Sequence, residues 1–506
     1  LVAALSWGIL GSRRSADLIG WLRQNRSYII ATELVFTIAF VAWAIYRAYT
    51  PEITATEKPM EFAFLNGILQ SDRFPPIDPW LSGYAISYYY FGYIIVAMLT
   101  LLSSVAPSIA FNLAIALLFA LSATGAFGLV YNTIRGSKSQ TSQKKALFFA
   151  ILAPVFLLVI GNLEAPFESL HNARIGSPEF YGRHGLDING LEQAPVSGTL
   201  LPTDNWWWWR ASRVLNDHDP NTDAHIEIID EFPLFSFLLG DMHPHVLALP
   251  FALLSLAAAL NLLNSKFEIN NPSSEGSFPK ERFGIWNFEL LLLPLILGGL
   301  FFLNTWDILP HAFILSAAFS ITRYRVERKW TAQLTNQVLL FLFGLGLLSV
   351  LLYFPFYLGF QSQAGGILPV LFAKTPLHQY LIMFGLFVFV LGAFVAKKVT
   401  EQRDMSFRDW LDRASPFAAM FVGFPMLVAL IGLVLFALVP AIRDAAGAVI
   451  GNADNALAAV IAAFFGPLTA APWLFILLIV MLTTVLVLLR ALISAETELD
   501  SSTVFV

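Results

Sequence analysis

A succession of apolar runs limits what this chain can fold into. They lie at roughly Tyr28–Tyr46, Tyr88–Val105, Ser108–Val130, Ala146–Ile160 and Val246–Leu263. They continue at Phe288–Leu303, Leu309–Ile321, Val338–Tyr357, Tyr380–Ala396, Phe417–Leu438 and Trp473–Leu489. A helix rises about 1.5 Å per residue, so about 20 apolar residues cross a bilayer core. These runs are apolar on every face, as helices buried in lipid or among other helices are. Only 13% of the 506 residues are charged, about half the share usual in soluble domains. That is too little charge to cover a set of soluble domains, which excludes an ordinary soluble enzyme. The expected fold class is an all-α polytopic membrane protein, with about 10–12 transmembrane helices and large exterior loops.

The net charge of −5 comes without a basic stripe, which argues against a nucleic-acid partner. With no cysteine, the chain has no disulfide, iron–sulfur or thiolate zinc site. The opening run Leu1–Leu10 is too short to span. It reads as the tail of a truncated helix rather than a signal peptide, because no basic leader precedes it.

Lys and Arg in short loops set the expected orientation. Arg13, Arg14, Arg23 and Arg26 mark one cytoplasmic loop, and Arg135, Lys138, Lys144 and Lys145 another. Arg323, Arg325, Arg328 and Lys329 mark a third, and Lys397, Lys398, Arg403, Arg408 and Arg413 a fourth. Ser265–Ile285 mixes both signs and decides nothing. Three spanning runs between Arg26 and Arg135 would put basic loops on opposite sides of the membrane. Making Tyr88–Val105 re-entrant or interfacial removes the conflict, and its tyrosine-rich start suits the interface. The long polar loops Arg47–Ser87, Gly161–His245 and Gly359–Gln379, with the turn at Asp307, then all face the exterior of a multi-pass protein in the cell membrane. The organisation reads as a membrane part over 1–46, an acidic loop over 47–87 and membrane segments over 88–160. A second loop follows over 161–245, and further membrane helices over 246–506.

The exterior loops hold the chemistry. Glu57 and Glu61 stand four apart, on one face of a helix that Pro59 can begin. The plain reading is an amphipathic helix with acids favoured at its N-terminus. The second loop carries Glu164, Glu168 and His171, four tryptophans from Trp206 to Trp209, then Arg210, Arg213, Asp217, His218, Asp219, Asp223 and His225. The tryptophans are interfacial anchors or a stacking platform for sugar or lipid. Gly240-Asp241-Met242-His243-Pro244-His245 closes the loop. Asp241, His243 and His245 can ligate a divalent metal if the backbone is extended. If a helix starts near Pro244, they line the site without one. Trp306 and Asp307 sit at a turn between two spans. Glu33, within a span, is a functional candidate by default or snorkels to the surface.

Several of these stretches resemble a known family. Glu57-Lys58-Pro59-Met60-Glu61-Phe62, the run Pro75-Pro76-Ile77-Asp78-Pro79-Trp80 and Tyr88-Tyr89-Tyr90-Phe91-Gly92 look like the prokaryotic "YYY" membrane protein family. Glu231-Phe232-Pro233, the Asp241–His245 stretch and Asn304-Thr305-Trp306-Asp307 look like further motifs of it. The order of elements is more loosely similar to the GT-C glycosyltransferases, which take sugar from a polyprenyl-phosphate donor at the outer membrane face. That resemblance implies a GT-C-like fold and an essential acid in the first exterior loop. The acid is best matched by Glu57, with Glu61 second, although glutamate departs from the more common aspartate. Catalytic candidates are then Glu57, Glu61, Asp78 and Asp241. Substrate-binding candidates are Tyr88, Tyr89, Tyr90, Arg210, Arg213, His243, His245, Trp306 and Asp307, with Lys58 behind the two arginines. The implied partners are membrane lipid, a polyprenyl-phosphate-linked sugar and a glycan or protein acceptor. A divalent cation, Mg²⁺ or Mn²⁺, is the candidate cofactor. Two other readings stand beside this one: a non-catalytic membrane scaffold in a complex with partner proteins, and a transporter. Transporters commonly place polar residues at the bilayer midplane, and apart from Glu33 these runs have almost none.

Overall fold

In a computed structural model of the chain, the described residues are 15–136, 141–183, 199–201, 207–218, 225–264, 288–361, 375–401, 406–440 and 472–494. Leu1–Leu10, Arg13, Arg14, Lys138, Trp206, Asp219, Asp223, Arg403, Ser265–Ile285 and most of Gly359–Gln379 lie outside them. The chain forms two compact units. The first draws on Leu1–Ile160 and Ser236–Gln363, the second on Gly161–Phe235 and Ala364–Glu498. The second long loop is therefore divided, its residues 236–245 belonging to the first unit. The described structure is helical, apart from an isolated bridge between Ile77 and Ala85 and one antiparallel ribbon, Asn216–His218 with His225–Glu227.

Among the described residues, six helices are long and apolar enough to cross a membrane: Arg26–Tyr49, Pro107–Gly136, Pro244–Asn264, Ala332–Leu352, Leu377–Glu401 and Pro472–Arg490. The chain is a multi-pass membrane protein. Each boundary has a local cause. Arg26–Tyr49 contains neither Gly nor Pro and stops at Thr50-Pro51, where the proline disfavours helix in the residue before it. Pro107 begins its helix at the position where a missing N–H costs nothing. Two expected runs are interrupted instead of spanning whole. Ala146–Ile160 breaks at Ile151 into Gln143–Ala150 and Leu152–Leu158. Pro154 explains the break, since it offers no N–H to the carbonyl four residues back, that of Ala150, and its ring crowds it. Pro355 acts likewise where Ala332–Leu352 gives way to the short helix Phe354–Tyr357.

The run at Tyr88–Val105 becomes a 13-residue helix, Phe91–Ser103. At about 20 Å it is too short to cross a core of about 30 Å. Both of its ends also lie at the same end of the first unit. Phe91 stacks on Phe302, next to the end of Phe288–Leu303, and Gly92 meets Leu247 in the first turn of Pro244–Asn264. At the other end the chain turns at left-handed Ser104 into Pro107–Gly136. Asn112 of that helix bonds Arg47 at the end of Arg26–Tyr49. The short helix therefore lies across one end of the bundle, and that end holds the site. Tyr93 of this helix joins an aromatic core with Phe64, Phe111, Phe119, Phe237 and Phe356.

A Cβ on Gly92 would stand 2.5 Å from a methyl of Leu247. Gly92→Ala should therefore lower stability by about 1–3 kcal/mol, measured by thermal unfolding in detergent. Adding Leu247→Ala should recover part of the loss; no recovery would place the short helix elsewhere.

Candidate functional site

In the first unit the site is built on a turn and the buried charges that hold it. Gly240 has φ +77°, a conformation that side chains disfavour. A Cβ there would stand 2.2 Å from Nη1 of Arg47. The Arg47 guanidinium thus occupies the space a side chain would need. Arg47 is buried and donates through Nε to Asn112 Oδ1 at 2.9 Å. Lys58, also buried, donates to the Leu239 carbonyl at 3.2 Å. Burial pushes the Lys58 ammonium down; the charges of Asp241 and Glu61 oppose this, and Arg47 adds to it. Glu61 is fully buried and accepts the Met242 N–H at 2.7 Å. Asp241, also buried, accepts from Thr56 Oγ1 at 2.9 Å. Two buried cations and two buried acids thus fix the backbone on both sides of the 240–242 turn, as buried charge requires.

That turn presents a line of hydrogen-bonding groups. Ser236 Oγ lies 2.9 Å from His245 Nε2, His245 Nδ1 lies 2.8 Å from His243 Nδ1, and His243 Nε2 lies 2.9 Å from Glu57 Oε2. With both imidazoles neutral, one proton assignment satisfies all three contacts. Ser236 donates to His245, His245 donates to His243, and His243 donates to Glu57. The line runs from fully buried Ser236 to Glu57, whose side chain is 53% exposed. The hydrogen bond from His243 holds the Glu57 carboxyl below its ordinary range, so it is ionised at neutral pH. Tyr88 OH lies 3.5 Å from the same His243 nitrogen. The Tyr93 hydroxyl is buried nearby, without a hydrogen-bond partner among the described residues.

The second unit holds a separate polar cluster. On the helix Glu164–Asn172, Glu164, Glu168 and His171 are all buried. Glu168 pairs with Arg210. Arg213 pairs with Glu227 at 3.5 Å and sits 4.6 Å over the Trp209 ring. Glu164 is 0% exposed, and neither carboxyl oxygen has a hydrogen-bond partner among the described residues. Burial raises it to about 8, against the pull of Arg210. Burial also raises Asp230, to about 6.

A family model described as "Uncharacterized membrane protein (DUF2298)" matches residues 1–502. The chain belongs to this family. Comparison with curated proteins and with solved structures gives no match.

In this DUF2298 protein, Glu57, Glu61, Asp241, His243, His245 and Tyr88 come together in the first unit. The other candidates of the first unit do not join the histidine line. Asp78 accepts the backbone N–H groups of Trp80 and Leu81, at 2.8 and 3.0 Å, which makes it a turn residue. Tyr89 packs between Tyr88 and Phe360. Tyr90 is a buried core residue with its ring edge-on to Phe302. Trp306 is exposed, and Asp307 hydrogen-bonds its own Asn304, with burial raising its carboxyl. Arg210 and Arg213 lie in the second unit, each held by a glutamate. Asp241 does not join the two imidazoles as a metal ligand, since its carboxylate accepts from Thr56, whereas His243 and His245 each offer a ring nitrogen that could serve as one.

Arg47, Thr56 and Ser236 escaped the sequence reading. Arg47 had one signal, a basic residue at the end of the first span opposite its basic start. Thr56 and Ser236 have none, because only the folded turn brings them in.

Gly240→Ala should cost about 2 kcal/mol or more, combining left-handed strain with overlap on Arg47, as read by thermal unfolding. In the second unit, a carboxyl raised from 4.5 to about 8 binds more protons folded than unfolded between those values. Stability should fall as pH rises through that window and level off above it. Glu164→Gln should remove that part of the slope, measured by unfolding midpoints from pH 5 to 9.

Proposed function

We propose that this protein transfers a sugar from a polyprenyl-phosphate donor to an acceptor hydroxyl at the membrane surface, with Glu57 as the base. The observation that supports this reading is the Glu57–His243 contact. It offers an ionised, half-exposed carboxylate fixed by an imidazole at the membrane end of a helical bundle. Glycosyl transfer asks for such a group. The acceptor oxygen bonds the anomeric carbon as the bond from that carbon to the phosphate oxygen breaks. The hydroxyl proton passes to Glu57, and polyprenyl phosphate leaves with the electron pair. His243 donates to one carboxylate oxygen and so orients the other toward the acceptor; His245 and Ser236 hold His243 in the tautomer that donates. Arg210 and Arg213 are each engaged by a glutamate within the second unit, and neither is assigned to the phosphate. The looser likeness to GT-C enzymes supports it, as does a lipid donor's confinement to the membrane. The orientation drawn from the basic loops assigns this end to the exterior.

The test is release of polyprenyl phosphate from a panel of lipid-linked sugars by protein reconstituted in vesicles. Wild type should release it with at least one donor. Glu57→Gln should lose about 100-fold or more while its unfolding temperature stays unchanged. Full turnover by Glu57→Gln would remove it as base. A wild type inert toward every donor that copurifies with a fixed partner would establish the scaffold reading.

A further inference from the structure

Between the helices Lys58–Gln70 and Phe91–Ser103 the chain makes a hairpin that the proposed chemistry does not use. Its form is set by the backbone. Asp78 N–H donates to the Tyr84 carbonyl at 2.9 Å, Ile86 N–H to that of Pro76 at 3.0 Å, and Tyr84 N–H to that of Leu81 at 3.1 Å. Gly83 supplies the left-handed position, φ +89°. Ser71 Oγ accepts the Ile77 N–H at 3.0 Å. Pro79 seats the hairpin on the preceding helix at Gly67, where a Cβ would meet its ring at 3.2 Å.

The side chains on this frame are of the wrong kind for an aqueous loop. Phe74, Ile77, Trp80, Leu81 and Tyr84 are all exposed, Trp80 at 70%. Asp78 is the single charged residue in 74–84, and its carboxylate accepts two N–H groups of its own turn. The tip therefore offers large apolar groups on a backbone whose N–H groups at 77, 78, 80, 81 and 84 are bonded locally, while its remaining polar atoms suit the hydrated headgroup boundary rather than the acyl core. Arg73, exposed at the base, suits lipid phosphate, and Trp and Tyr favour the headgroup boundary. An exposed apolar patch of this kind marks a membrane or a protein partner.

Continuity decides between them. The helix that follows the hairpin lies across the same end of the bundle and exposes Met98, Leu99, Leu101 and Leu102, the last at 80%. In a chain that crosses the bilayer, that apolar surface is met by lipid. The hairpin leads directly into this helix.

The geometry points to the 74–84 hairpin as a membrane-inserted anchor, its Trp80–Leu81 tip seated at the headgroup–acyl boundary of the leaflet on the site's side. It holds the first unit's polar turn at a fixed depth beside that leaflet. This inference does not depend on glycosyl transfer.

The chain has no cysteine, so one introduced thiol reports one place. Leu81→Cys and, separately, Trp80→Cys are spin-labelled in vesicles of phosphatidylcholine and phosphatidylglycerol. Collision rates with oxygen and with a water-soluble nickel chelate are compared with labels at Leu102→Cys, the lipid reference, and Thr54→Cys, an exposed loop residue. The oxygen-to-nickel ratio at both tip positions should exceed that at Thr54 several-fold and approach that at Leu102. A ratio equal to that at Thr54 would overturn the anchor, placing the hairpin in water. A label immobilised and shielded from both reagents would overturn it too, by showing that protein covers the tip.

Discussion

The site depends on the Arg47 guanidinium lying against Gly240. A charged group that deep is stable only with its hydrogen bonds and counter-charges in place. Asn112 answers Nε, while Glu52 and Asp241 bring opposite charge to Arg47, and Asp241, Glu61 and Glu52 bring it to the neighbouring Lys58. Because the guanidinium fills the space of a Cβ, the residue beneath it is glycine, and its left-handed backbone turns the chain from Pro233–Leu239 into Pro244–Asn264. The direction of that turn aims His243 at Glu57 and His245 back at Ser236. The exposed carboxylate is thus positioned by charges several residues away that never meet solvent.

Polarity sorts these acids into different tasks. Glu61 and Asp241 are buried, and their oxygens accept from Met242 N–H and Thr56, so they act on the frame. Glu57 is open to solvent and held by one imidazole. In the second unit, Glu168 is neutralised by Arg210, whereas Glu164 has no hydrogen-bonded partner among the described residues and holds its proton instead. Membership in an uncharacterized membrane protein family agrees with the spans and leaves the chemistry to these local environments.

Much of the architecture was legible because hydrophobicity and proline act locally. The spans at Arg26–Tyr49 and Pro107–Gly136 follow the apolar runs almost to their ends, and the run at Tyr88–Val105 gives a helix too short to span, although Tyr90 and Tyr93 pack in the core. Ala146–Ile160 misled because a hydropathy count does not register that Pro154 breaks a helix. The Glu57–Glu61 spacing correctly suggested one helix but not that the two acids would differ in burial, which depends on the turn packed above them. Asp78 was chemically plausible, yet its carboxylate completes a hairpin, and a sequence does not distinguish a turn cap from a catalytic acid. Arg210 and Arg213 stood out as cations; their partners Glu168 and Glu227 lie 42 and 14 positions away along the chain and become neighbours only on folding.

The most direct measurement is a high-resolution density map of the protein in lipid nanodiscs with added polyprenyl phosphate. The account predicts headgroup density beside Glu57, His243 and Tyr88, continuous with a chain running into the membrane over the 91–103 helix. A map in which side chains of this protein or of a neighbouring subunit close over Glu57, with the lipid bound elsewhere, would contradict it.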